Sequence, residues 1–171
     1  VNTIKNEPIS SVDLMERAAK SCCQELTKNV DEKDELCILC GPGNNGGDGL
    51  AIARILADSG KKVTVILTGN SDKLSPDAAT NFQKLQKTSA KILYLTDADL
   101  PLANTTVWVD AIFGSGLNKA VEKNIADLIH KVNATGAPVF SIDLPTGLFA
   151  DKHTPSDDAV IHASTTLPFQ R

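Results

Sequence analysis

Apolar positions along this chain form short, β-branched runs, separated by longer stretches in which they recur at helical spacing. Ser10 or Ser11 can cap a first helix, which carries Asp13, Leu14, Met15, Glu16, Arg17, Ala18 and Ala19 and runs to about residue 28. The charged segment NVDEKDE leads from it to a first strand over 36–40. GPGNNGGDG follows at 41–49, and the spacing then predicts a helix over about 49–58, stopped by Ser59 and Gly60. KVTVILTG holds a second strand of the β-branched kind that suits a sheet interior. Ser75 and Pro76 carry the N-cap and N1 signature of a helix reaching about residue 87. ILYL and TTVWVDAIFG supply a third and a fourth strand, the latter ending near Asp110. Val121, Ile125, Leu128, Ile129 and Val132 have the spacing of an amphipathic helix over 121–133. Gly136, Ala137 and Pro138 end it, VFSID is a fifth strand, and AVIHASTTL is one more β-like run.

Apolar strands alternating with helices imply right-handed βαβ units. The expected fold class is α/β: a three-layer α/β/α, Rossmann-like fold with a mostly parallel central sheet. At 171 residues and 42% hydrophobic, the chain can bury one proper core, so a single domain is expected over 1–171. In open sheets of this kind, ligands bind outside the carboxyl ends of the strands. The segments that follow the five strands are GPGNNGGDG, TGNSD, TDAD, DAIFGSGLNK and DLPTG. Three of them join an acid to a glycine turn and should converge on one crevice.

Charge and composition remove several classes. A net charge of −4 and a pI near 5.3, with scattered lysines, leave no basic stripe for a nucleic-acid partner. No stretch approaches eighteen consecutive apolar residues, so neither a membrane span nor a membrane partner is expected. The segment VNTIKNEPISSVDLMERAA has no apolar signal core, and a cytoplasmic location is the expectation. Cys37 and Cys40 form a CxxC, but on a strand positions three apart face opposite sides and cannot share a ligand. With Cys22 and Cys23 they read as small buried side chains. His130, His153 and His162 assemble no triad, and neither GxSxG nor HExxH occurs.

The glycine-rich segment is the most informative. Gly41-Pro42-Gly43-Asn44-Asn45-Gly46 satisfies G-x-G-x-x-G between a strand and a helix, the setting for a phosphate or pyrophosphate at a helix N-terminus. No Lys-Ser/Thr pair follows the last glycine, so the Walker reading fails. A loop that only cradles phosphate has no use for Asn44, Asn45 and Asp48, although asparagine also suits turns and Asp48 could cap the helix. Asp110 ends an apolar strand either as a turn cap or as an oxygen ligand for a hard cation. Asp143 ends VFSID just before Pro145-Thr146-Gly147, where it is either a turn-initiating residue or a carboxyl placed for proton transfer. GSGLNKA offers glycine amides and Lys119 to an anion.

LMERA, CGPGNNGGDGLAIARIL, VDAIFGSG and SIDLPTG, in that order, resemble the YjeF N-terminal family, the NAD(P)H-hydrate epimerases. The resemblance runs from about residue 8 to 166 and implies a Rossmann-like fold, usually homodimeric, with a potassium ion beside the substrate. It implies as substrates the R and S hydrates of NADH and NADPH, NADHX and NADPHX. By matching motif, Asn44, Asn45, Gly46, Gly47 and Asp48 would contact substrate, with Asn45 also on the cation. Asp110 and Thr146 would complete the potassium site. Gly114, Ser115, Gly116, Leu117, Asn118, Lys119 and Ala120 would wrap the phosphates, and Asp143 would contact the reacting ring as the catalytic group.

The chain departs from the family pattern in places. Thr146 stands where the family usually has serine, adding a methyl beside the ion, and Pro168 falls where a strand is expected. Family domains continue for several tens of residues beyond this point, so the domain is expected to be truncated at its C-terminal end. Many members also carry a C-terminal ADP-dependent dehydratase domain, an expected fused partner. Two other readings stay open: an NAD(P)-dependent oxidoreductase using the same glycine segment, and a non-catalytic binding module on the same fold.

Overall fold

The computed structural model describes residues 10–97, 100–102, 107–156 and 158–168. Residues 98 and 99 of TDAD, and 105 and 106 at the head of the fourth strand, lie outside them. The elements run α1 (Ser11–Thr27), β1 (Glu35–Cys40), α2 (Asn44–Asp58), β2 (Lys62–Leu67) and a 3-10 turn (Ser71–Lys73). α3 (Pro76–Leu85), β3 (Lys91–Tyr94), β4 (Val107–Ala111), α4 (Lys123–Ala134), β5 (Val139–Ile142) and β6 (Thr165–Leu167) complete the order. Capping residues do what their chemistry suggests. Ser10 accepts from the amide of Asp13 at 3.1 Å, and Ser75 caps α3 with Pro76 behind it.

The strands form one six-stranded sheet in the order β3-β2-β1-β4-β5-β6, and every pairing is parallel. The direction of winding reverses between β1 and β4, which makes their junction the switch point where open α/β sheets bind ligands. Side-chain alternation divides the core. Leu36, Ile38 and Cys40 of β1 join the cluster under α1, α2 and α3. Cys37 and Leu39 join the opposite cluster with Trp108 and with Ile125, Leu128, Ile129 and Val132 of α4. The CxxC is therefore split between two cores, as a period of two requires.

Three boundaries differ from the sequence reading. α2 begins at Asn44 rather than 49, so most of the glycine-rich stretch is helix and only 41–43 is connection. Asp48 consequently lies inside the helix and is not its cap; the N-cap is Gly43, in extended conformation. α4 starts at Lys123, with Val121 packed beside the core ahead of it. AVIHASTTL yields only the three-residue β6, while Ala159 and Ile161 are buried under the α4 side. Pro168 follows β6 directly, and β6 is an edge strand, where a missing amide costs no ladder bond.

Candidate functional site

β4 and β5 lie side by side with Asp110 opposite Ser141. Asp110 is fully buried, which places a carboxylate in the sheet under the crevice. Four donors surround it. Oδ1 accepts from the Thr146 hydroxyl at 2.6 Å and from the Ile112 amide at 3.3 Å. Oδ2 accepts from the Ser141 hydroxyl and the Thr146 amide, both at 2.8 Å. Burial pushes the Asp110 carboxyl above the usual carboxylate range, and these four bonds pull against it. The Thr146 hydroxyl also takes the Phe113 amide at 3.0 Å, tying the 112–116 segment to the turn after β5.

Asp143 has φ of +68°, and the Leu144 amide bonds to the Ile142 carbonyl at 2.9 Å across it. That is a γ-turn of the rare, positive-φ kind, which aspartate tolerates better than most residues. Such strain persists only where surrounding contacts hold it. Here the Asp143 amide is held by the Leu167 carbonyl at 2.9 Å, and Oδ2 accepts the Ser115 amide at 2.7 Å. Gly114 is required at its place, because a Cβ there would overlap the Asp143 carboxylate. Among the described residues, Oδ1 of Asp143 accepts no hydrogen bond.

On the other wall, α2 starts close against β1: a Cβ on Gly46 would overlap the carbonyl oxygen of Gly41. This closeness carries Asn44 and Asn45 to the crevice. Both side-chain polar atoms of Asn45 are shielded from solvent and have no hydrogen-bond partner among the described residues. An amide left unsatisfied in that way is costly and is the mark expected of a residue that awaits a ligand.

These parts enclose a crevice of about 340 Å³ at the β1–β4 switch point. Asn44, Asn45, Gly114, Ser115, Gly116, Leu117 and Asp143 line it, together with Gly43, Ile112 and Phe113. The remaining expected contacts lie elsewhere. Gly46, Gly47 and Asp48 are buried within α2, Asp48 at 1% exposure. Asn118, Lys119 and Ala120 are exposed beyond the crevice rim, where the Lys152 ammonium donates to the Asn118 carbonyl at 2.8 Å. Asp110 and Thr146 form the buried network beneath it. Ser141 was not picked out from the sequence; its role depends on strand register, which no local pattern discloses.

For an oxygen-seeking cation the donor set is suitable: among the described residues Asn45 has an unspent amide oxygen, and Asp110 and Thr146 add carboxyl and hydroxyl oxygens from the buried network. A carboxylate has about four lone-pair sites, and those of Asp110 are all engaged. Direct coordination by Asp110 would displace one donor, the Ile112 amide at 3.3 Å being the weakest held.

Comparison with known proteins bears on this geometry. The family described as YjeF-related protein N-terminus matches residues 11–171. An NAD(P)H-hydrate epimerase of Levilactobacillus brevis is 38% identical over 159 residues, covering 92% of this chain and 72% of that protein. A bifunctional NAD(P)H-hydrate repair enzyme of Salinibacter ruber is 36% identical over 165 residues, 87% of this chain but only 30% of its own length. The crystal structure of yeast YNL200c superposes with a TM-score of 0.82 at 24% identity, over 94% of this chain and 71% of the yeast chain, a likeness of fold. Among the described residues, no helix is long and apolar enough to cross a membrane.

Proposed function

The chain belongs to the YjeF-related N-terminal family, and from that premise we propose that it interconverts the R and S hydrates of NADH and NADPH at C6 of the nicotinamide ring. The observation that carries the reading is the pairing of Asn45, with its unsatisfied amide, and Asp143, with one oxygen uncommitted, across a single switch-point crevice.

The chemistry suits these groups. C6 bears a hydroxyl next to the ring nitrogen, whose lone pair can expel it to leave an iminium. The carboxyl of Asp143 protonates the departing hydroxyl, which leaves as water. The resulting carboxylate then takes a proton from a water that adds to the opposite face, and the centre is inverted. No electrons are gained or lost overall. The Ser115 amide holds Asp143 Oδ2, so the carboxyl keeps one orientation while its other oxygen handles the proton. Amides of 114–116 lie at the rim, where the phosphates of the substrate would be wrapped. Asn45, with Asp110 and Thr146 beneath, would hold a potassium ion whose charge steadies the substrate in the crevice.

Incubating the purified chain with a single hydrate epimer and separating R from S by chromatography tests this. Equilibration well above the spontaneous rate is expected, faster in potassium than in choline. An unchanged spontaneous rate would refute the proposal.

A further inference from the structure

A second concavity at the same edge of the sheet bears on the far half of the substrate. β2 and β3 end together, with Leu67 opposite Tyr94. Beyond them lies a cavity of about 420 Å³ lined by Thr68, Asn70, Tyr94, Thr96 and Asn124. None of its described lining residues is charged. Tyr94 is 38% exposed, the only large hydrophobic side chain among the described residues that is left so open. Asn70 spends its side-chain oxygen on the Asp72 amide, and Asn124 spends its own on the Ile125 amide. Among the described residues no acceptor takes their NH2 groups, and these donors match the ring nitrogens of a purine. An aromatic face with neutral hydrogen-bond donors around it is a surface on which a base stacks.

The position suits a dinucleotide that starts in the crevice. The β1–β4 junction and the β2–β3 junction are two strands apart, about 10 Å at the usual spacing. Gly69 packs against Pro42, which precedes Gly43 of the crevice wall, so this ridge stands between the two spaces. On the other side, the segment after Gly114 runs from the crevice rim to Asn124. We propose that this cavity binds the adenosine half of the hydrated dinucleotide, with the purine stacked on Tyr94. The proposal rests on the function proposed above, and its test separates the two.

Titrating 5′-AMP into the 15N-labelled chain should move the backbone amides of 68–70 and 94–96. Tyr94→Ala should abolish these shifts and Tyr94→Phe retain them. With NADHX as substrate, Tyr94→Ala should raise KM by roughly tenfold, the scale of one lost stacking contact, and leave kcat within about twofold. AMP shifts confined to other amides, or a Tyr94→Ala KM equal to wild type, would overturn the subsite. A wild-type chain that shows the AMP shifts but does not interconvert the epimers would keep the subsite and sink the function. One that interconverts them while those amides stay still would do the reverse.

Discussion

Thr146→Val keeps the shape of the side chain and removes one hydroxyl. That hydroxyl donates to Asp110 Oδ1 at 2.6 Å and receives the Phe113 amide at 3.0 Å, so Asp110 loses one of its four donors and the half-buried Phe113 amide loses its acceptor. A hydrogen bond to a charged group contributes about 1.5–3 kcal/mol, and a buried amide left orphaned costs about 1–3 kcal/mol. Taking the low end of both, since the turn can relax, the variant should lose about 2.5 kcal/mol. For a domain of this size that corresponds to roughly 5–10 °C in melting temperature. Thr146→Ser keeps the hydroxyl and should stay within about 1 kcal/mol of wild type. Urea and thermal unfolding followed by circular dichroism at pH 7 read both values. The pH dependence has a definite sign. The Asp110 carboxyl is raised above its ordinary 3.8 in the folded state, so its contribution is full below that value and is lost as pH rises through the folded one. Removing a bond that favours the ionised form raises it further, so the Thr146→Val deficit should grow as pH rises through the folded pKa. A loss under about 1 kcal/mol at pH 7 would refute the network as described.

Gly46→Ala drives a Cβ into the Gly41 carbonyl and should cost about 1–3 kcal/mol or more in urea unfolding, because backbone rather than a flexible side chain must yield. Burial pushes the Cys22 and Cys23 thiols up to about 12, so both should resist alkylation at pH 8 while the chain is folded and react once it is unfolded. Their contribution to stability is full below the unfolded value of 9.0 and falls above it by up to about 1.4 kcal/mol per pH unit and thiol, which unfolding at pH 8 and pH 10 will show. If Asn45 contacts a potassium ion, nucleotide affinity measured by calorimetry should fall when choline replaces potassium. Asn45→Ala should erase that difference.

What the sequence disclosed, and what it hid, follows from the range of the forces involved. Strand and helix order was legible because burial on a two-sided sheet imposes β-branched runs and helical spacing locally, as in β2 and α4. That the start of the 41–49 stretch, the segment after β4 and the Asp143 turn meet at one crevice followed from topology alone. The start of α2 was misplaced because Asn and Gly are poor helix formers. Its first turns stand because Gly46 can press against Gly41, a contact between segments. The same turns bury Asp48, which a loop would have left exposed. Ser141 could not be found by pattern, since only the register of β4 with β5 puts it on Asp110. An oxidoreductase reading would call for an acid at the end of β2, and Thr68, Gly69 and Asn70 stand there instead.

Asp143→Asn is the most direct probe of the chemistry, since asparagine fits the same positive-φ turn and can still accept the Ser115 amide. The measurement is the rate of R-to-S interconversion of purified NADHX by wild type and by this variant, with folding and nucleotide affinity shown to be equal. A loss on the order of a hundredfold or more is expected for the variant, the scale of one general acid–base group. Interconversion by Asp143→Asn at the wild-type rate would contradict it.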